Sequence, residues 1–160
     1  MVDSHSANRF RVSQIDHVEM FVPDRSRAAR WSAEVLGLAV VPGHEDWASD
    51  PKGPLMVSSD GGSTKLALFQ GESPQAAAKS GFQLVAFRVP GSDFIIFLKG
   101  LSEIYLLDLK GARVTPAAVV DHDKAYSLYF TDPYDHQLEI TTYEYKVTTQ
   151  LLSDEGLRAG

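Results

Sequence analysis

Three absences bound what this chain can do. It has no cysteine, which excludes disulfides, thiolate nucleophiles and cysteine-type zinc sites, and fits a reducing compartment. It lacks any surplus of positive charge, since 15 Lys and Arg stand against 21 Asp and Glu for a formal charge of −6. Phosphate backbones and anionic lipids attract clustered Lys and Arg, so nucleic acid and membrane surfaces are not the expected partners and a small molecule is. It also lacks an apolar run long enough to span a bilayer, and Met1 to Asn8 is polar, unlike a secretory signal. A cytoplasmic protein is expected. What is present is ordinary for a globular chain: 160 residues, 44% hydrophobic and 22% charged, enough for one compact domain or two small halves sharing a core.

Punctuation by Pro and Gly divides the chain. Gln14 to Val22 reads as a strand ended by Pro23, and Asp24 caps a helical stretch through Trp31 and Val35 that Gly37 stops. Leu38 to Val41 is extended and His44 to Pro54 reads as a loop. Leu55 to Ser58 and Thr64 to Phe69 flank the turn Ser59-Asp60-Gly61-Gly62 as a hairpin. The plan then repeats: a strand from Phe82 to Val89 ended by Pro90, a helix from Asp93 to Lys110 stopped by Gly111, and extended pieces at 113–120, 126–131 and 137–142. The apolar stripe of that second helix is Phe94, Phe97, Leu98, Leu101, Ile104 and Tyr105. The expected boundaries are an extension at 1–13, a first module at 14–70, a linker at 71–81, a second module at 82–145 and a polar tail from 146, with one short helix.

Both modules read β-α-β-β-β, and the repeat aligns by residue. Ile15 to Pro23 lies against Phe82 to Pro90 with the closing Val-Pro in register, Asp60 falls on Asp132, and Leu66-Ala67-Leu68 on Leu138-Glu139-Ile140. If the copies fold alike and pack together, strand periodicity brings four side chains to one place: His17 and Ala67 from the first, Leu84 and Glu139 from the second. Glu139 is a carboxylate within an apolar, β-prone run, which is the position of a group that serves a metal or a ligand.

At these residues the chain resembles the vicinal oxygen chelate superfamily of glyoxalases, extradiol dioxygenases, fosfomycin-resistance enzymes and bleomycin-binding proteins. The resemblance covers roughly residues 14 to 143 and rests on Ile15-Asp16-His17-Val18, Ala86-Phe87-Arg88-Val89, Tyr129-Phe130-Thr131-Asp132-Pro133 and Leu138-Glu139-Ile140. It implies an α+β fold of two βαβββ modules forming an incomplete eight-stranded barrel with a cavity inside. In that family the four converging positions are metal-ligand slots. His17 and Glu139 fill two of them, and Leu84 and Ala67 bring no electron pair to the others. Gln83 neighbours the Leu84 slot but points to the opposite face unless a bulge re-aims it.

The closing stretch is also similar to the extradiol dioxygenase signature, with His122, Leu128-Tyr129, Asp132-Pro133 and Glu139 in its positions and Asp135 where a Gly is expected. Gly serves there because the turn needs a left-handed backbone, which Asp tolerates. By this resemblance His17 and Glu139 bind a divalent metal, iron(II) before zinc, manganese or nickel, and His122 and Tyr129 stand beside it as catalytic groups. A ring-cleaving oxidoreductase is then expected, as a homodimer with a small-molecule ligand in the barrel. The alternatives are a metal-free binding protein of bleomycin-resistance type, which Leu84 and Ala67 suit, and a glyoxalase-like isomerase or lyase. His5, His44 and His136 receive no role.

Overall fold

The computed structural model describes residues 15, 17–72 and 84–157. The expected extension at 1–13, most of the linker, and Gln83 lie outside these residues.

The first unit contains β1 (His17–Val22), α1 (Arg25–Leu36), β2 (Ala39–Val40), α2 (Glu45–Ser49), β3 (Leu55–Ser58) and β4 (Lys65–Gln70). The second contains β5 (Val85–Arg88), α3 (Gly91–Gly100), β6 (Val120–Asp121), β7 (Tyr126–Thr131), β8 (Gln137–Thr142) and α4 (Tyr145–Asp154). Their sheets have one topology, β1-β4-β3-β2 and β5-β8-β7-β6, in which the first strand lies parallel to the last and the other pairs are antiparallel. The fold class is α+β with two βαβββ modules.

The registers repeat as well. Glu19 pairs with Ala67 in the first sheet, and Ala86 pairs with Glu139 in the second. These are the pairs that the internal alignment equates. The two turns preceding the last strands also correspond: Asp60 Oδ1 accepts the Thr64 N–H at 3.0 Å, and Asp132 Oδ1 accepts the His136 N–H at 2.9 Å. Asp135 has φ of 66°, so the left-handed turn position is occupied by Asp as expected. In the corresponding turn of the first module the positive-φ positions are Gly61 and Gly62.

Local chemistry explains the helices. Asp24 accepts the Arg27 N–H at 2.9 Å, and Gly37, at φ of 67°, closes α1. Glu144 Oε2 accepts the Gly91 N–H at 2.9 Å, supplying α3 with the cap that Pro90 cannot. Gly91 is needed there because a Cβ would stand 2.6 Å from Thr148 Oγ1 on α4. In the second module Leu98, Leu128, Phe130 and Leu138 are almost wholly buried, each burial contributing roughly 1.5–3 kcal/mol.

Three sequence expectations are corrected. The second long helix ends at Gly100 rather than Lys110. Glu103 and Ile104 N–H groups turn back to the Gly100 carbonyl, and Leu107 bridges to Arg113 and Thr131 as extended chain. Ile104 and Tyr105 therefore leave the helical stripe, and Tyr105 is exposed. Residues 113–120 are not one strand, since Pro116 starts a 3-10 turn through Ala118. The loop at 44–54 contains α2, and Arg25 anchors it by donating to the carbonyls of Ala48, Asp50 and Gly53. Among the described residues no helix is long and apolar enough to cross a membrane.

Candidate functional site

Strand periodicity sorts the second module into two faces. Tyr126, Leu128 and Phe130 of β7 and Leu138 and Ile140 of β8 are buried. They face the helices: the Phe130 ring lies 5.7 Å from that of Phe97 on α3, and the Tyr126 hydroxyl is 2.9 Å from Thr149 on α4. Ser127, Tyr129, Glu139 and Thr141 consequently share the other face, with Tyr129 directly opposite Glu139 and Ser127 opposite Thr141. Glu139 is thus turned away from the helix-packed core, and Tyr126 and Tyr129 point to opposite faces.

On this polar face the side chains are connected. Ser127, itself buried, donates to Glu139 Oε1 at 2.6 Å and has Thr141 Oγ1 at 3.0 Å. This short bond to a carboxylate holds one oxygen of Glu139 in place. His122 Nε2 lies 3.0 Å from the Tyr129 hydroxyl, with the rings edge to face. The His122 backbone is fixed by its N–H bond to Ala125 at 2.9 Å, across a turn in which Asp123 takes φ of 63°. Asp121 supports that turn by accepting the Asp123 N–H at 2.8 Å and the Tyr145 hydroxyl at 2.9 Å. Burial, reinforced by the charge and hydrogen bonding of Glu139, raises the Tyr129 phenol above the usual tyrosine pKa against the opposing effect of Ser127. Tyr129 is therefore a phenol that keeps its proton, with an imidazole against its oxygen and a carboxylate across the strand pair.

The corresponding face of the first module is different. His17, Glu19 and Phe21 alternate along one side of β1, and His17 Nε2 stands 3.9 Å from Glu19 Oε1. Lys65, which pairs with His17 and donates from Nζ to the Gly62 carbonyl at 2.9 Å, lies on the same face, and the remainder is apolar: Phe21 and Phe69 stack at 5.5 Å, and Val41, Met56 and Ala67 are buried with Phe69 packed against them. Sequence reasoning missed Glu19, although a carboxylate two residues from His17 on a strand must share its face. It also missed His136, whose Nδ1 lies 2.7 Å from Asp132 Oδ2 and locks the turn before β8.

Of the four sequence-predicted positions, the second module brings together Glu139, Tyr129 and His122, while His17 belongs to the first and meets Glu19 there. Ala67 is buried and Leu84 is partly so, and neither carries a donor atom. Among the described residues no three His, Asp or Glu side chains are gathered where one ion could sit. The described residues do not make up a ligand set of three or four.

Two βαβββ modules, each with its first strand parallel to its last, define the class of this fold. The chain belongs to the glyoxalase/bleomycin resistance protein/dioxygenase superfamily, whose family model matches residues 14–140. Solved structures agree. Oxidase ChaP-H1 is 26% identical, with 84% of this chain and 98% of that one covered at a TM-score of 0.59. Oxidase ChaP-H2 is 25% identical over 82% and 94%, also at 0.59. A fosfomycin resistance protein, FosX, from Listeria monocytogenes, complexed with Mn(II) and a dihydroxypropylphosphonic acid, shares the fold at 12% identity over 85% and 96%, with a TM-score of 0.59. No curated protein sequence matches the chain.

Proposed function

We propose that the chain is an oxidoreductase for hydroxylated aromatic small molecules, of the ring-cleaving dioxygenase kind, in which His122 and Tyr129 exchange a proton with a ligand oxygen. The observation that carries this reading is the 3.0 Å bond between His122 Nε2 and the Tyr129 hydroxyl, on the face that Glu139 shares. These are the residues that the extradiol signature marks, and structural relatives 25% and 26% identical are oxidases.

The chemistry follows from the pair. The Tyr129 phenol holds its proton at neutral pH and presents it as a hydrogen bond to a ligand oxygen on which negative charge develops, with transfer completed through His122. His122, on the same hydroxyl, supplies a replacement proton when protonated and accepts one when neutral. Glu139, with one oxygen held by Ser127, adds a fixed negative charge that keeps the Tyr129 proton in place. His17 and Glu139 are the donors that the family resemblance assigns to a divalent ion, iron(II) first. As two of four positions they would hold such an ion only weakly. The protein acts in the cytoplasm as a homodimer, and a monomer in sedimentation would refute the latter.

Oxygen uptake with catechol, iron(II) being supplied, tests the reading; uptake above that of free iron(II) is expected. A second reading, a metal-free binding protein, is favoured by the apolar Ala67 and Leu84 and the Phe21–Phe69 stack. Catechol binding without any oxygen uptake would select it.

A further inference from the structure

Beside Tyr129 the second module contains a cavity of about 140 Å³, lined by Asp108, Leu109, Lys110, Tyr129, Phe130 and Gln137. Its wall is made by a turn that the sequence placed inside a helix. Asp108 Oδ1 accepts the N–H groups of Lys110 at 2.8 Å and Ala112 at 2.9 Å, and Gly111 takes φ of 78° to close the turn. Leu107, immediately before it, bridges to Thr131 at the end of β7. The turn is thereby fixed against the strand that carries Tyr129, and Lys110 and Tyr129 line the same cavity.

The lining has two chemistries. Leu109, Phe130 and the Tyr129 ring are apolar and suit a flat ring, and an apolar cavity of about 150 Å³ accommodates benzene. Lys110, Gln137 and the Tyr129 hydroxyl are polar. Asp108 is the acid in the lining, and its Oδ1 is taken up by the turn. Lys110 enters no ion pair among the described residues, in a chain whose net charge is −6. An anionic ligand approaching such a protein is repelled overall and requires a local cation to be held.

We propose that this cavity seats a single-ring aromatic acid, with Lys110 on the carboxylate and Tyr129 at the ring hydroxyl. The assignment rests on the proton-exchange reading above and names its substrate class: a hydroxybenzoate rather than an unsubstituted catechol. Gln137 offers an amide to the same end of the ligand, and the apolar wall keeps the ring beside the His122–Tyr129 pair.

Calorimetric titration with 3,4-dihydroxybenzoate and with catechol tests this on the intact chain. The wild type should bind the acid about five- to tenfold more tightly than catechol, as expected for a charge-assisted bond in a partly open site. Lys110→Met, a change at an exposed turn whose folding is checked by circular dichroism, should bring the ratio close to one. The control Lys52→Met, in the first module, should leave the ratio intact. A wild-type ratio near one, or a ratio that Lys110→Met does not change, would overturn the subsite and leave the proton-exchange reading standing. Binding of neither probe would overturn both.

Discussion

The two modules share a backbone plan and differ in what they place on the sheet face away from the helices. At the position where the first has Ala67, packed with Val41, Met56 and Phe69, the second has Glu139, held by Ser127 and facing Tyr129. The first face combines His17, Glu19 and Lys65 with the apolar Phe21, Met56, Ala67 and Phe69, whereas the second is a connected set of hydroxyls, imidazole and carboxylate. Duplication preserved the registers, which are set by backbone pairing and by apolar side chains on the buried face. The other face diverged: it is packed by Val41, Met56 and Ala67 in one copy and hydrogen-bonded through Ser127, Glu139 and Thr141 in the other. The connected hydroxyls, imidazole and carboxylate have accordingly collected on one copy.

The equality of the scaffolds is tested by the largest expected effects. Leu68→Ala and Ile140→Ala remove equivalent buried side chains, 2% and 4% exposed, and each should cost about 2–5 kcal/mol in chemical denaturation. A loss several times larger in one module would break the equivalence. The polar face contributes less. Ser127→Ala leaves Glu139 Oε1 without its 2.6 Å donor and should cost about 1–3 kcal/mol, while Ser58→Ala, whose hydroxyl serves the Asp60 turn, tests the other copy.

The difference between the faces also has a pH signature. The folded chain binds the Tyr129 proton more tightly than the unfolded chain does. Its contribution to stability is therefore complete below the ordinary tyrosine pKa of about 10 and is lost as pH rises through the raised folded value. In alkaline absorbance titration the wild type minus Tyr129→Phe difference should isolate one late-titrating phenol, and Glu139→Gln should move it earlier. No movement in Glu139→Gln would separate Tyr129 from Glu139. The smallest effect is expected at the turn, where Asp135→Gly relieves a left-handed Asp and should change stability by less than about 1 kcal/mol, in the stabilising direction.

Much of this architecture was legible in the sequence because it rests on local rules. Period-two alternation marks Tyr126–Thr131 and Gln137–Thr142, and the Asp-Pro turn with Asp135 in a Gly position marks a left-handed residue. The false extension of α3 arose because Ile104 and Tyr105 continue the helical spacing. Gly100 and Ser102 were the contrary signals, and tertiary pairing of Leu107 with Thr131 outweighed the spacing. Within the site, the face shared by Tyr129 and Glu139 follows from strand period. Its hydrogen bonds do not, because Ser127 becomes Glu139's partner only through the antiparallel pairing of β7 with β8. Lys110 was hidden for the same reason, since its turn was read as helix.

The central claim is that the second module's polar face performs proton transfer at a ligand oxygen, and His122 is its most separable member. Catechol-dependent oxygen uptake at pH 7, with iron(II) supplied, should fall about 10²–10⁴-fold in His122→Ala, the range for losing a general acid–base group. Uptake at the wild-type rate in that variant would contradict the account.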